Sequence, residues 1–355
     1  MYIHIPFCKK RCLYCDFFST TRLEKREEYV QALIREIEQR KEEAGEPIRT
    51  IYIGGGTPST LSIESVTAIN QLFTGYPIEE YTFEVNPGDV TKEYLTGLRS
   101  LGVNRLSMGV QSFQDELLQM IGRRHDARQA TEAVKIAREA GFDNISIDLM
   151  YALPGQTIKQ WETDIETALR LGIQHISSYG LMYEEGTALT KMRDIGTIAA
   201  IDEETENAMY DCLCERLKIA GFVHYEVSNF ALPGYEAKHN SAYWNHTPYI
   251  GIGAGAHSYI PPIRSWNPSD LNAYIEGITA QNLQRGNETL TDKDLYNERM
   301  MLGLRTSRGV PKSIIRTNIC ALLDAGLLRE KEDGYIVATR QGIHILNRII
   351  EDVMI

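Results

Sequence analysis

The sequence predicts an α/β fold, in which an incomplete (βα)6 barrel precedes a small winged-helix-like α+β module at the C-terminus. Short β-rich runs alternate with helix-length amphipathic segments over roughly the first 185 residues. Polar residues follow these runs, as they do in barrels whose chemistry lies at the C-terminal ends of the strands. Near residue 290 the alternation stops, and helical segments with a hairpin pattern take its place.

Six runs have the composition of parallel strands, namely MYIHI, TIYIGG, YTFEVN, RLSMGVQ, ISIDLMY and HISSYGLM. Of the segments between them, EEYVQALIREIEQRKEEAG places Tyr29, Leu33 and Ile37 on one helical face. Two further helices are expected to stop at a glycine. These are ARQATEAVKIAREAGF, at Gly141, and WETDIETALRLG, at Gly172.

Two domains are predicted, residues 1–285 for the partial barrel with its extension and residues 286–355 for the helical and winged module. In the second, DLYNERMMLGLRTSRGV and PKSIIRTNICALLDAGLL predict helices, and HILNRII predicts a final one. Between them REKEDGYIVATRQG predicts a strand pair with a DG turn. We expect this module to pack against the barrel or to cover a substrate rather than to bind DNA.

Composition bounds the function further. The chain has 355 residues, 43% of them hydrophobic, and a net charge of −11. An acidic protein lacks the basic surface that nonspecific nucleic-acid binding needs. No apolar run approaches the ~18 residues of a transmembrane helix, and no secretory leader precedes MYIHIPF. We therefore expect a cytoplasmic protein without a transmembrane segment.

Three of the six cysteines, Cys8, Cys12 and Cys15, lie within CKKRCLYC. Structural disulfides are rare in a reducing compartment, and three thiols cannot pair among themselves. Structural zinc usually takes four ligands, and His4 is the nearest candidate for a fourth. Thiolates also suit iron–sulfur clusters, where three of them leave one iron of a [4Fe-4S] cluster open.

The C-x3-C-x2-C spacing resembles the signature of the radical S-adenosylmethionine (SAM) enzymes. This resemblance implies a [4Fe-4S] cluster on Cys8, Cys12 and Cys15, with the amino and carboxylate groups of SAM chelating the unique iron. In that family, reduction of the cluster cleaves SAM to methionine and a 5′-deoxyadenosyl radical. GGGTP, from Gly54 to Pro58, is similar to the family's loop for the SAM amino group, because glycine lets the backbone approach a ligand.

Other polar residues at the predicted strand ends fit the same ligand. Any one of them alone is most simply a solvated loop residue. An arginine suits the SAM carboxylate, and the family spacing favours Arg123 over Arg124. The SAM-binding residues implied by the resemblance are Tyr2, Tyr14, Gly55, Gly56, Thr57, Glu84, Gln111, Arg123, Asp148, Met182 and His257.

YIHIPFC, GGGTPS, RLSMGVQSF, IDLMYALPGQT and GIGAGAHSY resemble the coproporphyrinogen-oxidase-like branch of the radical SAM proteins. GIGAGA lacks the strand–helix context of a dinucleotide fingerprint, which argues against NAD. The oxygen-independent coproporphyrinogen III oxidase has a longer motif, C-x3-C-x2-C-x-C, after an N-terminal extension. Here Phe17 stands where the additional cysteine would be, and the sequence starts at the motif. Both departures are typical of HemW-type heme chaperones.

HNSAYW is similar to the HNxxYW motif of the HemW-type proteins and makes His239, Tyr243 and Trp244 candidates for contact with heme. A histidine can ligate heme iron, and aromatic rings can pack on the macrocycle. Without the family motif, His239 would more simply be a hydrogen-bonded core histidine. His257 is a rival candidate for the SAM site.

Three functions stay open. The resemblance favours a heme chaperone that binds a [4Fe-4S] cluster, SAM and heme and delivers heme to acceptors such as respiratory enzymes, with transient contact to membrane proteins left open. The alternative is oxygen-independent oxidative decarboxylation of coproporphyrinogen III. The third is a radical SAM enzyme with an unrelated substrate, since fold and cofactor do not fix the reaction.

Overall fold

The structure is a computed structural model that describes residues 1–355, and one nine-stranded sheet organises its first 250 residues or so. Its strands are β1 (Tyr2–Ile5), β2 (Thr50–Gly55), β3 (Glu80–Val85), β4 (Arg105–Gln111), β5 (Ile145–Tyr151), β6 (His175–Gly180), β7 (Val223–Glu226), β8 (Asn229–Ala231) and β9 (Gly251–Ile252). Strands β1 to β6 lie side by side in chain order and are parallel. The predicted (βα)6 partial barrel is therefore confirmed.

Both edges of this parallel sheet are extended. Strand β9 adds to β1 in parallel, whereas β8 and then β7 add to β6 in antiparallel orientation. The strand order is β7-β8-β6-β5-β4-β3-β2-β1-β9, and β7 and β9 remain edge strands. The barrel is thus incomplete, and its interior is open along one side.

Helices follow the strands, as the sequence periodicity predicts. They are α1 (Arg26–Arg40), α2 (Ile63–Gln71), α3 (Lys92–Ser100), α4 (Asp115–Met120), α5 (Ala127–Glu139), α6 (Ile158–Arg170), α7 (Ala188–Asp194), α8 (Glu203–Ile219), α9 (Lys238–Trp244) and α10 (Leu271–Thr279). Capping boxes start α5 and α6. Shortly after their ends, Gly141 and Gly172 adopt φ values of 87° and 65°, which suit glycine.

Alternation along the strands separates two faces of the sheet. In β2, Ile51 and Ile53 are fully buried in the main core. In β5, Ile147 and Leu149 are also buried in this core, whereas Asp148 between them lines a cavity on the other face. The apolar face packs on the helices, and the polar face lines the barrel interior.

An antiparallel sheet of three strands follows the barrel and consists of β10 (His257–Ile260), β11 (Ile263–Trp266) and β12 (Gly286–Thr289). Strand β12 pairs with β11 across the domain boundary that the sequence predicts after residue 285. The remaining elements are α11 (Asp292–Gly303), β13 (Val310–Pro311), α12 (Cys320–Asp324), β14 (Leu328–Glu330), β15 (Tyr335–Ala338), α13 (Arg340–His344) and α14 (Leu346–Val353). Their buried side chains form a separate apolar cluster.

Two helices of this C-terminal part are shorter than predicted. Helix α11 ends at Gly303 because the chain turns there, with the Thr306 hydroxyl donating to the Gly303 carbonyl at 2.9 Å. The segment 311–328 contains a 3₁₀ turn at Lys312–Ile314 and the short helix α12, before which the Asn318 side chain accepts from the Cys320 N–H at 3.0 Å. The predicted strand pair is present as β14 and β15. No helix in the structure combines the length and the apolar composition that a bilayer span requires.

Replacing Trp161 tests the packing of the main core. This α6 residue is fully buried, and its indole N–H donates to the Met209 carbonyl of α8 at 2.8 Å. We expect Trp161→Ala to lower the free energy of unfolding by about 3–5 kcal/mol, the usual range for a buried large aromatic. Urea unfolding followed by circular dichroism measures this loss. The exposed Ile219→Ala serves as the control, and an equal shift in both variants would contradict the packing.

Candidate functional site

A cavity of about 490 Å³ opens at the C-terminal ends of the parallel strands. This volume is within the ~300–1,000 Å³ range of small-molecule sites. All predicted cluster and SAM residues line it except His257: Tyr2, Cys8, Cys12, Tyr14, Cys15, Gly55, Gly56, Thr57, Glu84, Gln111, Arg123, Asp148 and Met182.

The three clustered cysteines lie on the loop that leaves β1. Backbone hydrogen bonds hold this loop at both ends, from the Cys8 N–H to the Thr20 carbonyl at 2.8 Å and from the Leu13 N–H to the Ile121 carbonyl at 3.1 Å. Cys8 is buried, whereas Cys12 and Cys15 are partly exposed, and all three thiols are free. Burial raises the pKa of the Cys8 and Cys15 thiols, so binding of a metal as thiolate must release protons.

The glycine loop after β2 lies against the cysteine loop. A Cβ on Gly54 would stand 2.7 Å from the Glu84 Oε1, and one on Gly56 would stand 3.0 Å from the Cys8 sulfur. Gly55 has a φ of 117°, a conformation that other residues rarely adopt. The Thr57 hydroxyl lies 3.5 Å from the Cys8 sulfur. Glycines are therefore required where β2, β3 and the cysteine loop meet.

Two partly buried carboxyl groups face the cavity. Glu84 accepts from the Tyr52 hydroxyl at 2.7 Å and from the Gly55 N–H at 3.1 Å. Burial raises the pKa of Glu84 to about 7, and it raises the pKa of Asp148 to about 6 although the Arg105 guanidinium opposes this. Both groups lack a direct ion pair with a basic side chain, so a ligand with positive charge or hydroxyl donors would favour their ionised forms.

The two arginines of IGRRHD have different surroundings. Arg124 forms an ion pair with Asp89, with its two terminal nitrogens 2.8 Å and 3.3 Å from the carboxylate oxygens. Arg123 lines the cavity, where it contacts the Gly109 carbonyl and lies 3.6 Å from the Cys12 sulfur. The Nε of Arg123 is buried without a hydrogen-bond partner. Arg123 thus lies beside the cysteine loop with one buried N–H unpaired.

Asp89 connects three loops beneath the cysteines. Besides Arg124, it accepts from Lys9, the residue after Cys8, at 2.7 Å. Burial alone would raise the pKa of Asp89, but the hydrogen bonds from Arg124 and Lys9 hold it below its ordinary value. The sequence analysis did not single out Asp89, since an acid in an NPGD turn has no distinguishing pattern.

Other cavity residues were also missed. Tyr52, Ser107, Ser177 and Tyr179 line the interior on alternate positions of β2, β4 and β6. Period-2 alternation through the predicted strands would have found them. Ser177 lies opposite Asp148 where β5 pairs with β6, and the Ser107 hydroxyl donates a hydrogen bond to Asp148. Gln111, which was predicted, has a φ of 72° at a register shift between β4 and β5.

His257 does not join the cavity. It begins β10 in the three-stranded sheet, is exposed, and stacks on Trp266 with ring centroids 5.8 Å apart. The sequence places GAGAH near the other motifs by resemblance, but the turn before β10 directs this strand away from the barrel interior. The structure thus separates His257 from the other predicted SAM residues.

The heme candidates lie at the opposite end of the barrel from the cavity mouth. His239 is 3% exposed, and its ring nitrogens lie 2.9 Å from the Thr50 and Tyr243 hydroxyls. Thr50 is the first residue of β2, so this is the N-terminal end of the strands. Trp244 follows Tyr243 at the end of α9. His239 would have to release a hydrogen bond before it could bind iron.

Comparisons with known proteins agree with this architecture. The sequence model of the radical SAM superfamily matches residues 2–168. The heme chaperone HemW of Lactococcus lactis is 40% identical over 87% of this chain and 82% of its own length. HemW of Bacillus subtilis is 40% identical over 88% and 84%, and HemW of Escherichia coli is 32% identical over 99% and 97%.

The chain belongs to the HemW family of radical SAM proteins. Among solved structures, the coproporphyrinogen III oxidase HemN of Escherichia coli, a radical SAM enzyme, matches 99% of this chain and 89% of its own with a TM-score of 0.84. At 24% identity this match shows a shared fold, including the C-terminal module.

Radical SAM membership implies a [4Fe-4S] cluster and SAM, and the cavity residues fit both. Three free thiols line it, Arg123 has an unpartnered buried N–H, and glycines leave room beside Cys8. No three His, Cys, Asp or Glu side chains converge on a point that would hold a single metal ion.

Neutralising Asp89 tests how the cysteine loop is held. We expect Asp89→Asn to leave Lys9 and Arg124 without their partner and to loosen the loop, because the Asp89 carboxylate is the one group that pairs with both cations. After anaerobic reconstitution, iron per chain should fall to less than half of the wild-type value. Asp143→Asn, at an exposed acid, is the control and should load fully. Unchanged loading in Asp89→Asn would show that the ion pairs do not hold this loop.

Proposed function

We propose that this protein is a heme chaperone that carries a [4Fe-4S] cluster and SAM, binds heme, and delivers heme to heme-dependent proteins. The observation that carries the proposal is an apolar rim at the cavity mouth. Phe17, Tyr179 and Met182 line this mouth with exposed fractions of 66%, 45% and 70%. Exposed large apolar side chains that lie together mark a binding surface, and a flat macrocycle would cover them.

Cations adjoin the same mouth. Lys10 and Arg11 line it and are exposed. Heme carries two propionates, for which lysine and arginine are the usual partners. The apolar rim defined by Phe17, Tyr179 and Met182, with these two cations beside it, therefore matches heme in shape and in charge. Phe17 also stands where the oxidase relatives have an additional cysteine.

The cofactor residues are proposed as follows. Cys8, Cys12 and Cys15 would hold the cluster, and Arg123 would bind the SAM carboxylate through its free N–H. Glu84 and Asp148 would accept from the SAM ribose and face its sulfonium charge, beside the backbone of Gly55 and Gly56. When bound, the cluster and SAM supply one-electron chemistry at the cavity. This chain's part is to orient SAM and to exclude water from the partly buried carboxyl groups.

A second candidate is oxygen-independent coproporphyrinogen III oxidation. The shared fold with the oxidase of Escherichia coli, with a TM-score of 0.84, favours it. The HemW relatives, at up to 40% identity over most of their length, favour the chaperone. Phe17 in place of a cysteine weighs further against the oxidase.

Heme delivery tests the proposal directly. Hemin-loaded, reconstituted protein is mixed with an apo form of a heme-dependent oxidoreductase, and the restored activity is measured. We expect restoration by the loaded protein, beyond that by free hemin at the same concentration. The same protein, given reductant, SAM and coproporphyrinogen III without oxygen, should form no protoporphyrinogen IX. Formation of that product without heme delivery would contradict the chaperone and identify an oxidase.

The apolar rim predicts where heme binds. The double variant Phe17→Ala, Met182→Ala removes two exposed side chains from it, and burying such side chains contributes ~1.5–3 kcal/mol each, so heme affinity should fall at least tenfold. Hemin titration followed by absorbance measures the affinity. Ile195→Ala with Ile219→Ala, two similarly exposed apolar residues elsewhere, is the matched control. A hemin affinity in the rim variant equal to that of wild type would show that heme binds another surface.

The raised pKa of Glu84 predicts pH-dependent SAM binding. Since SAM favours the ionised carboxylate and the pKa of Glu84 is about 7 without ligand, binding must first remove a proton at lower pH. The affinity for SAM should therefore fall by up to about tenfold per pH unit below pH ~7 and level off above it. Anaerobic calorimetry between about pH 6 and 7.5 measures this, and Glu84→Gln should flatten the profile. A flat wild-type profile would contradict a role for Glu84.

A further inference from the structure

The HNSAYW segment forms the floor of the barrel interior. Helix α9 begins at Lys238, one residue before this segment, and the N–H groups of Lys238 and His239 donate to the two oxygens of Glu80 at 2.8 Å and 2.9 Å. Glu80 is the first residue of β3. The Ala237 N–H lies 3.4 Å from the Tyr225 hydroxyl of β7. These contacts fix α9 across the N-terminal ends of strands from both halves of the sheet.

His239 is the residue of this floor that lies under Tyr52, whose side chain lines the cavity. Thr50 and Tyr243 hold its ring on both nitrogens. Above it lies Tyr52, with ring centroids 5.3 Å apart and the planes inclined by 28°. Burial lowers the pKa of His239 well below its ordinary value, so the ring is neutral and one nitrogen donates while the other accepts.

Tyr52 links His239 to the proposed SAM site. Its hydroxyl donates to Glu84 at 2.7 Å, and the other oxygen of Glu84 accepts from the Gly55 N–H at 3.1 Å. The Tyr52 ring also has Tyr2 at its side, with centroids 6.1 Å apart. A neutral ring clamped from below and stacked under Tyr52 thus restricts where the tyrosine hydroxyl can point.

We propose that His239 is a positioning residue for SAM, which holds Tyr52 so that its hydroxyl orients and stabilises the Glu84 carboxylate, rather than a ligand of heme iron. The inference rests on the proposed SAM site. It assigns the HNSAYW segment to the half of the molecule that binds SAM, at the closed end of the barrel, and leaves heme at the apolar rim on the open end.

The charges around Glu84 define what a loss of His239 should change. The Tyr52 hydroxyl and the Gly55 N–H lower the pKa of Glu84, Arg105 lowers it as well, and Asp148 and burial raise it. The phenols of Tyr2 and Tyr179 also act on this carboxylate, and both are uncharged at neutral pH. If Tyr52 turns away, a stabilising donor is lost and the carboxylate ionises at higher pH.

The test compares SAM binding in His239→Ala, Tyr52→Phe and wild type, anaerobically and over the same pH range. Both variants should weaken SAM binding about tenfold at neutral pH, as expected for a lost hydrogen bond to a charged group, and should move the midpoint of the profile upward by about half a unit or more. Hemin affinity should stay at the wild-type value in both. A variant damaged only in its folding would not move the pH midpoint.

A conservative variant and a matched control complete the experiment. His239→Phe restores a flat ring under Tyr52 without any iron ligand, so it should bring the SAM profile back toward wild type. His224→Ala removes a partly buried histidine, stacked on Phe230 with centroids 4.2 Å apart at the far edge of the sheet, and should leave the SAM profile unchanged.

The outcomes separate this inference from the proposed function. An unchanged SAM profile in His239→Ala, with normal wild-type SAM binding, would overturn the positioning role and leave the function intact. Loss of heme in both His239→Ala and His239→Phe, with normal SAM binding, would overturn it in favour of heme ligation. Absence of SAM binding in wild type would refute the SAM site and this inference with it.

Discussion

The hydrogen bonds of Glu84 are the interaction on which the site depends. This carboxyl group, partly buried at the end of β3, binds the hydroxyl of β2's Tyr52 and the N–H of Gly55 in the following loop. It thereby fixes the glycine loop, whose Gly56 lies directly against the Cys8 sulfur. One acid thus helps to hold the cysteine loop, strand β2 and the glycine loop together. Because Glu84 is partly removed from water, its carboxyl group is hard to ionise until a ligand binds.

A second acid, Asp89, supports the same geometry from outside the cavity. It forms ion pairs with Lys9 and Arg124, so the charge of the neighbouring Arg123 remains for a ligand. The two acids differ in partners and so in pKa. Asp89 has two cations and a lowered pKa, whereas Glu84 has neutral donors and a raised one. The lowered pKa of Asp89 suits a structural role, whereas the raised pKa of Glu84 suits a group whose ionisation changes when a ligand binds.

Much of the fold could be predicted because parallel strands buried on one face have a strong local pattern. TIYIGG, RLSMGVQ and ISIDLMY correspond residue for residue to β2, β4 and β5. The cavity residues could be predicted because such strands end at one edge. The segment 311–328 could not, since its apolar helical pattern is interrupted by one side chain, Asn318, which accepts from the Cys320 N–H. His239 could not be placed either, because a motif says which residues occur together and not which end of the barrel they close.

We propose that the cluster and SAM share the cavity at the C-terminal strand ends, above a floor made by His239 and Tyr52. An anaerobic crystal structure of the reconstituted protein with SAM and hemin tests it most directly. We expect a cluster on Cys8, Cys12 and Cys15, the SAM carboxylate at Arg123, and His239 still bonded to Thr50 and Tyr243. Heme iron on His239, or SAM outside this cavity, would contradict the account.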